Sequence, residues 1–218
     1  MKKRTLLSVF FTFLFFIVTR IIFSSIGFML QGAEISSTFL IFPVIGDVVF
    51  ALSAFLYSKK KKLLPKFNNR SKIPIKNCFV SFIAIISYSI LGNFILYSLP
   101  NDMPESMKLM EYSMQANPFL YCLAVYLIAP VTEEFIYRGF IQTRLRTTMN
   151  VIPAILISSV LFGITHLMTG SILTALFTLL GGIIFGLTFE KTGSLILTIS
   201  VHIVGNLCEL MVMLPIMF

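Results

Sequence analysis

Apolar runs and polar breaks alternate along the whole chain, and the runs are long. Thr5 to Val18 is apolar and continues past Arg20 to Leu30. A short loop with Glu34 leads into a second run, Ser37 to Tyr57, which is broken by Pro43 and Gly46 and carries Asp47. A linker over 58–77 contains Pro65 and Pro74, and a third run, Cys78 to Leu99, stops at Pro100. Residues 100–117 read as a loop, after which Asn117-Pro118 has the form of a helix N-cap followed by a first-turn proline. The fourth run passes through Glu133 and Glu134 towards Phe140 and ends among Arg138, Arg144 and Arg146. Val151 to Met168, Ser171 to Phe189 and Ser194 to about Leu214 complete the series, with tight turns at Thr169-Gly170 and Thr192-Gly193. Runs near or above about 20 residues suit helices that cross a bilayer. The pattern predicts an all-α, polytopic transmembrane helical bundle of about seven spans.

Composition removes the alternatives. The 218 residues are 57% hydrophobic and 12% charged, with 23 Phe and no Trp, and the mean hydropathy is +0.93. A soluble domain carries about 25% charged residues, so too little charge is present to cover a water-exposed surface. An ordinary soluble enzyme, a disordered chain and a nucleic-acid-binding module are excluded. The N-terminal Met1-Lys2-Lys3-Arg4 with its apolar run has the outline of a signal peptide. No A-x-A cleavage site follows, so a retained first helix is expected.

The net charge of +8 adds orientation. Eight of the 17 basic residues lie between Lys59 and Lys76. With the N-terminus inside, residues 1–5, 58–77, 138–150 and 190–193 are cytoplasmic and hold 15 of the 17, leaving Arg20 and Lys108. That asymmetry predicts a multi-pass protein of the cell membrane with a cytoplasmic N-terminus, the linker serving as an anchor. Cys78, Cys122 and Cys208 fall at or inside apolar runs without CxxC spacing, as packed thiols do.

Ionisable and amide groups at membrane depth are costly and therefore mark functional sites. They are Arg20, Asp47, Glu133, Glu134, His166, His202, Asn206 and Glu209, and both histidines of the chain are among them. Glu134 and Arg138 stand four apart as an ion-pair candidate, with Glu133 turned about 100° away. Phe162 precedes His166 by one turn, and His202 precedes Asn206 by one turn. Pro130 removes a backbone donor just before the glutamates, and Gly181, Gly182 and Gly186 give the sixth run a face for close helix approach. Arg20 and Asp47 read as a pair or as cavity lining, and Glu209 as a solvated residue near the outer interface.

A carboxylate, two imidazoles and a carboxamide suit hydrolysis. One carboxylate with one imidazole can orient and deprotonate water, while the other imidazole and the amide N–H stabilise an oxyanion. The same four groups, Glu133, His166, His202 and Asn206, are also donors that suit a divalent metal such as zinc. Sequence leaves the two uses open.

EExxxR, FxxxH and HxxxN, in that order on successive spans, resemble the CPBP family of intramembrane proteases, also called Abi. That family includes type II CAAX prenyl endopeptidases and bacteriocin-processing or immunity proteins. The resemblance covers about 118–214 and implies a CPBP-like catalytic core there. It implies Glu133 and His166 as the water-activating pair and His202 with Asn206 as the oxyanion pair. Glu134, Arg138 and Phe162 would support or orient them. Residues 1–77 then form an N-terminal transmembrane hairpin with its linker, and 78–117 a third span with an external loop.

HExxH and GxSG are absent, and Val44 replaces the first glycine of a GxGD site. The expected function is an endopeptidase acting on a membrane-associated peptide or protein in contact with the bilayer. The alternatives are a non-catalytic immunity or scaffold protein binding a peptide in the same cavity, and a small proton-coupled transporter. On this topology Glu133 lies near the cytoplasmic end of its span and His166 about 22 Å up its own. Tilt, or a helix starting below the membrane, is needed to bring them level.

Overall fold

A computed structural model describes residues 2–30, 38–60, 73–98, 105–167 and 172–217. Among these residues the chain forms eight helices and no strand. They are α1 (Lys2–Leu30), α2 (Thr38–Lys60), α3 (Ile75–Ser98), α4 (Glu105–Ala116), α5 (Pro118–Arg146), α6 (Val151–His166), α7 (Ile172–Thr192) and α8 (Leu195–Met217). The all-α expectation holds. α1, α3, α5, α7 and α8 are long and apolar enough to cross a membrane, and Ile41–Leu56 of α2 and Val151–His166 are shorter apolar helices. Phe10, Phe11, Phe28, Phe79 and Phe94 are all exposed. Apolar surface on that scale is stable against lipid tails and not against water. The chain is a multi-pass membrane protein.

Two compact units cut across the chain order. The first comprises residues 1–66 and 107–150, the second 67–106 and 151–218. In the first unit α1 packs along α2, and α2 against α5. Close approach of α1 and α2 depends on Gly46, where a Cβ would stand 3.0 Å from the Phe23 Cβ. Buried Phe16 meets Phe50 at 5.0 Å and Tyr137 edge-on at 6.1 Å, which ties all three helices together.

In the second unit α6 packs along α7, while α3 touches α7 and α8. Glycine again sets the spacing: a Cβ at Gly163 would lie 2.7 Å from the Ala175 carbonyl, and one at Gly205 2.8 Å from Ile85. Tyr88 stacks on Phe177 at 4.5 Å and donates a hydrogen bond to its carbonyl. Gly181, Gly182 and Gly186 are buried, as their close-packing face required. Gly193 turns α7 into α8 at φ 65°, a left-handed conformation that glycine adopts without penalty. Ser194 then caps α8, accepting from the Leu197 amide at 3.2 Å.

Two expectations change. Residues 105–116, read as loop, are helical. Their charges exclude them from lipid but not from a helix, since Glu, Lys, Met, Leu, Gln and Ala all favour one, and Gln115 bonds Glu111 one turn away at 3.3 Å. The fourth span ends at Arg146, among the arginines expected there, and Arg138 is wholly buried. Only Arg144 and Arg146 of that group lie in its last turn. The basic linker is shorter than 58–77, because α2 extends to Lys60 and α3 begins at Ile75. Glu34, linker residues 61–72 and the Thr169-Gly170 turn lie outside the described residues. The N-cap holds, as Asn117 accepts from the Leu120 amide at 3.0 Å.

Candidate functional site

The two glutamates sit on an unusual stretch of helix. α5 is α-helical over Ala129–Glu134, with widened π-helical turns on both sides at Leu123–Ile128 and Phe135–Gln142. Proline explains the first. Pro130 has no N–H, and its ring would collide with the carbonyl one turn back in a regular helix. The widened turn relieves this, and the Ala129 amide bonds five residues back to the Ala124 carbonyl. In the second, the Thr143 hydroxyl donates to the Arg138 carbonyl at 2.8 Å. Thr132 donates to the Ile128 and Ala129 carbonyls at 3.1 and 3.0 Å.

This rod presents a buried ionic cluster within the first unit. Glu133, Glu134 and Arg138 are all buried. Arg138 Nη1 donates to Glu134 Oε1 at 2.9 Å, so the expected pair across one turn is formed. Arg138 also lies over the Tyr137 ring, with its guanidinium carbon 5.9 Å from the centroid. A second pair comes from the neighbouring helices: Arg20 Nη1 of α1 and Asp47 Oδ2 of α2 stand 3.8 Å apart. The charge of Glu133 acts on Arg20, Asp47 and Arg138. The unit thus gathers three carboxyl groups and two guanidiniums on α1, α2 and α5.

The imidazoles belong to the second unit, in different surroundings. His166 closes α6, is half-buried, and its Nδ1 lies 3.0 Å from the Phe162 carbonyl. A carbonyl only accepts, so that nitrogen carries the hydrogen and the lone pair of the neutral ring is on Nε2. Phe162 is buried and meets both histidines edge-on, His166 at 4.8 Å and His202 at 5.9 Å. Phe185 of α7 stacks flat on His202 at 4.3 Å. His202 is buried; Asn206, one turn along α8, is half-buried. Glu209, read as solvated, is half-buried, and His202 acts on its charge.

Phe185 and Tyr137 were not among the sequence candidates. Phe185 had one signal, its place beside Gly182 and Gly186 on the close-packed face of α7. Tyr137 had none beyond its neighbour Arg138. Asp47 and Arg20 were candidates without a role, and they prove to share a charge environment with Glu133.

Donors that suit a metal are divided between the units, Glu133 and Glu134 in one and His166 and His202 in the other. Among the described residues of either unit, no three His, Cys, Asp or Glu side chains gather as a metal-holding group. The cysteines are free, half-buried thiols.

Comparison with known proteins finds a family match. Residues 115–208 match the family model described as "Type II CAAX prenyl endopeptidase Rce1-like". No curated protein matches the chain, and no solved structure does. The matched segment holds EExxxR, FxxxH and HxxxN, all three motifs on which the resemblance rested. Over residues 115–208 the chain is therefore similar to the type II CAAX prenyl endopeptidase Rce1-like family.

Proposed function

We propose that the protein is an intramembrane endopeptidase that hydrolyses a peptide bond in a membrane-associated peptide or protein. The observation that carries this reading is the family match over 115–208, a segment that contains Glu133, His166, His202 and Asn206. The protein lies in the cell membrane with about seven spans and a cytoplasmic N-terminus.

Glu133 takes a proton from water while Nε2 of His166 orients it. The water oxygen then bonds to the carbonyl carbon of the substrate. His202 N–H and Asn206 Nδ2–H donate to the oxyanion, each such donor supplying about 3–4 kcal/mol in comparable sites. When the tetrahedral intermediate collapses, the C–N bond breaks and Glu133 returns its proton to the leaving amine. Glu134 and Arg138 hold the glutamate turn in place, and Phe162 fixes the two imidazoles.

The donors are also the types that bind zinc. Glu133, His166, His202 and Asn206 would hold such an ion, which would polarise the substrate carbonyl and activate water, while the steps above are written for the side chains alone. Metal content of purified protein, together with chelator sensitivity of cleavage, tests that assignment.

Cleavage of a membrane-anchored peptide is expected to disappear in Glu133→Ala and in His166→Ala. Undiminished cleavage by either folded variant would contradict the reading. If the protein is instead an immunity or scaffold factor, Glu133→Ala protects a host cell as well as wild type does.

A further inference from the structure

The Arg20–Asp47 pair lies outside the segment matched to the family, on α1 and α2, yet it is buried at membrane depth beside the glutamate turn. A buried ion pair does not earn its place through stability, because desolvation offsets most of the attraction. This one is also loosely made. Its closest N···O distance is 3.8 Å, beyond hydrogen-bond range. Among the described residues, neither carboxylate oxygen of Asp47 accepts a hydrogen bond, and Arg20 Nη1 donates none. Asp47 has no exposed surface at all. Groups left in that condition are expensive, so a reason for keeping them is needed.

The surroundings supply one. Gly46 lets α1 and α2 approach closely, since a Cβ there would stand only 3.0 Å from the Phe23 Cβ, and Arg20 and Asp47 lie on these two helices. Arg20 lies over the Phe16 ring at 6.0 Å, and Phe16 meets Tyr137, the fourth residue after Glu133. The guanidinium therefore packs, through one aromatic ring, onto Tyr137, which follows the glutamates by about one turn of α5. Arg20 and Asp47 are the two charges from α1 and α2 on which Glu133 acts.

We infer that Arg20 and Asp47 are a positioning pair for Glu133: Arg20 fixes the direction and charge of the Glu133 carboxylate, and Asp47 restrains Arg20 from closing onto it. The loose geometry follows from this role. An arginine locked onto Glu133 would hold the lone pairs that must accept a proton from water. The pair touches no substrate and acts only through Glu133. The N-terminal hairpin thereby becomes part of the catalytic apparatus as well as a membrane anchor.

This inference rests on Glu133 being the base of the proposed hydrolysis. The test compares Arg20→Gln, Arg20→Lys, Asp47→Asn and the double variant with wild type and Glu133→Ala. Each is assayed in detergent for kcat, KM and melting temperature with a membrane-anchored peptide. Arg20→Gln is expected to lower kcat by about 10- to 100-fold, the scale of a misplaced catalytic group, while KM stays within about twofold. Arg20→Lys restores most of that loss, because the charge returns to the same place. Asp47→Asn also lowers kcat, by freeing Arg20 to close on Glu133, and adding Arg20→Gln recovers part of the rate.

The inference is overturned if Arg20→Gln keeps wild-type kcat while Glu133→Ala is inactive. It is overturned equally if Arg20→Lys is no better than Arg20→Gln, or if the rate losses merely follow the fraction of folded protein. Should Glu133→Ala itself remain active, the proposed hydrolysis fails instead.

Discussion

The two compact units solve the problem of polar groups in lipid by opposite means. In the first unit charges face charges: Glu134 with Arg138 at 2.9 Å, Asp47 with Arg20 at 3.8 Å, and Glu133 acting on three of them. In the second, the imidazoles are held by neutral surfaces, with Phe162 edge-on to both and Phe185 flat on His202. An ionic cluster tolerates little disturbance, because removing one partner leaves the other buried and uncompensated. An aromatic cage loses only packing. The first arrangement suits a group that must change its charge, and the second suits groups that must point in a fixed direction.

The strongest blow to the ionic side is Arg138→Ala, which removes the guanidinium paired with the wholly buried Glu134. A loss of about 3–5 kcal/mol is expected, read as a fall in melting temperature or in folded yield in detergent. Arg138→Ala with Glu134→Ala should regain much of that loss, and equal losses in the single and double variants would break the ion-pair account. The second unit answers next. Gly163→Ala drives a methyl group into the Ala175 carbonyl, which is backbone and cannot rotate aside, so about 1–3 kcal/mol is expected. The smallest effect belongs to the cage itself. Phe185→Leu keeps the bulk but removes the stack on His202, costing about 0.5–1.5 kcal/mol. If it proves as damaging as Arg138→Ala, the contrast between the halves is wrong.

Much of this was legible in the residues. Apolar run length located the helices, and Asn117-Pro118 and Thr192-Gly193 marked an entry and a turn because capping and left-handed backbone have residue-specific chemistry. The cost of burying charge singled out Glu133, Glu134, Arg138, His166 and His202 before any fold was known. Other features were hidden for physical reasons. The stacking of Phe185 on His202 depends on the register between α7 and α8, which no spacing within one helix encodes. Pro130 gave notice of a disturbed helix, but nothing in Phe135–Gln142 announced a second widened turn. Helix α4 was missed because polarity was taken as a sign of irregular structure. The pairing of Arg20 with Asp47 could be guessed, whereas their shared environment with Glu133 requires three helices to be packed.

The proposed hydrolysis assigns Glu133 and His166 to a single step. Single-turnover cleavage by Glu133→Ala, His166→Ala and the double variant tests it most directly. The account predicts that each single change lowers the rate by about 10²- to 10⁴-fold and that the double variant is scarcely slower than either, as for groups acting as one unit. Losses that multiply in the double variant, or either single variant cleaving at the wild-type rate, would contradict it.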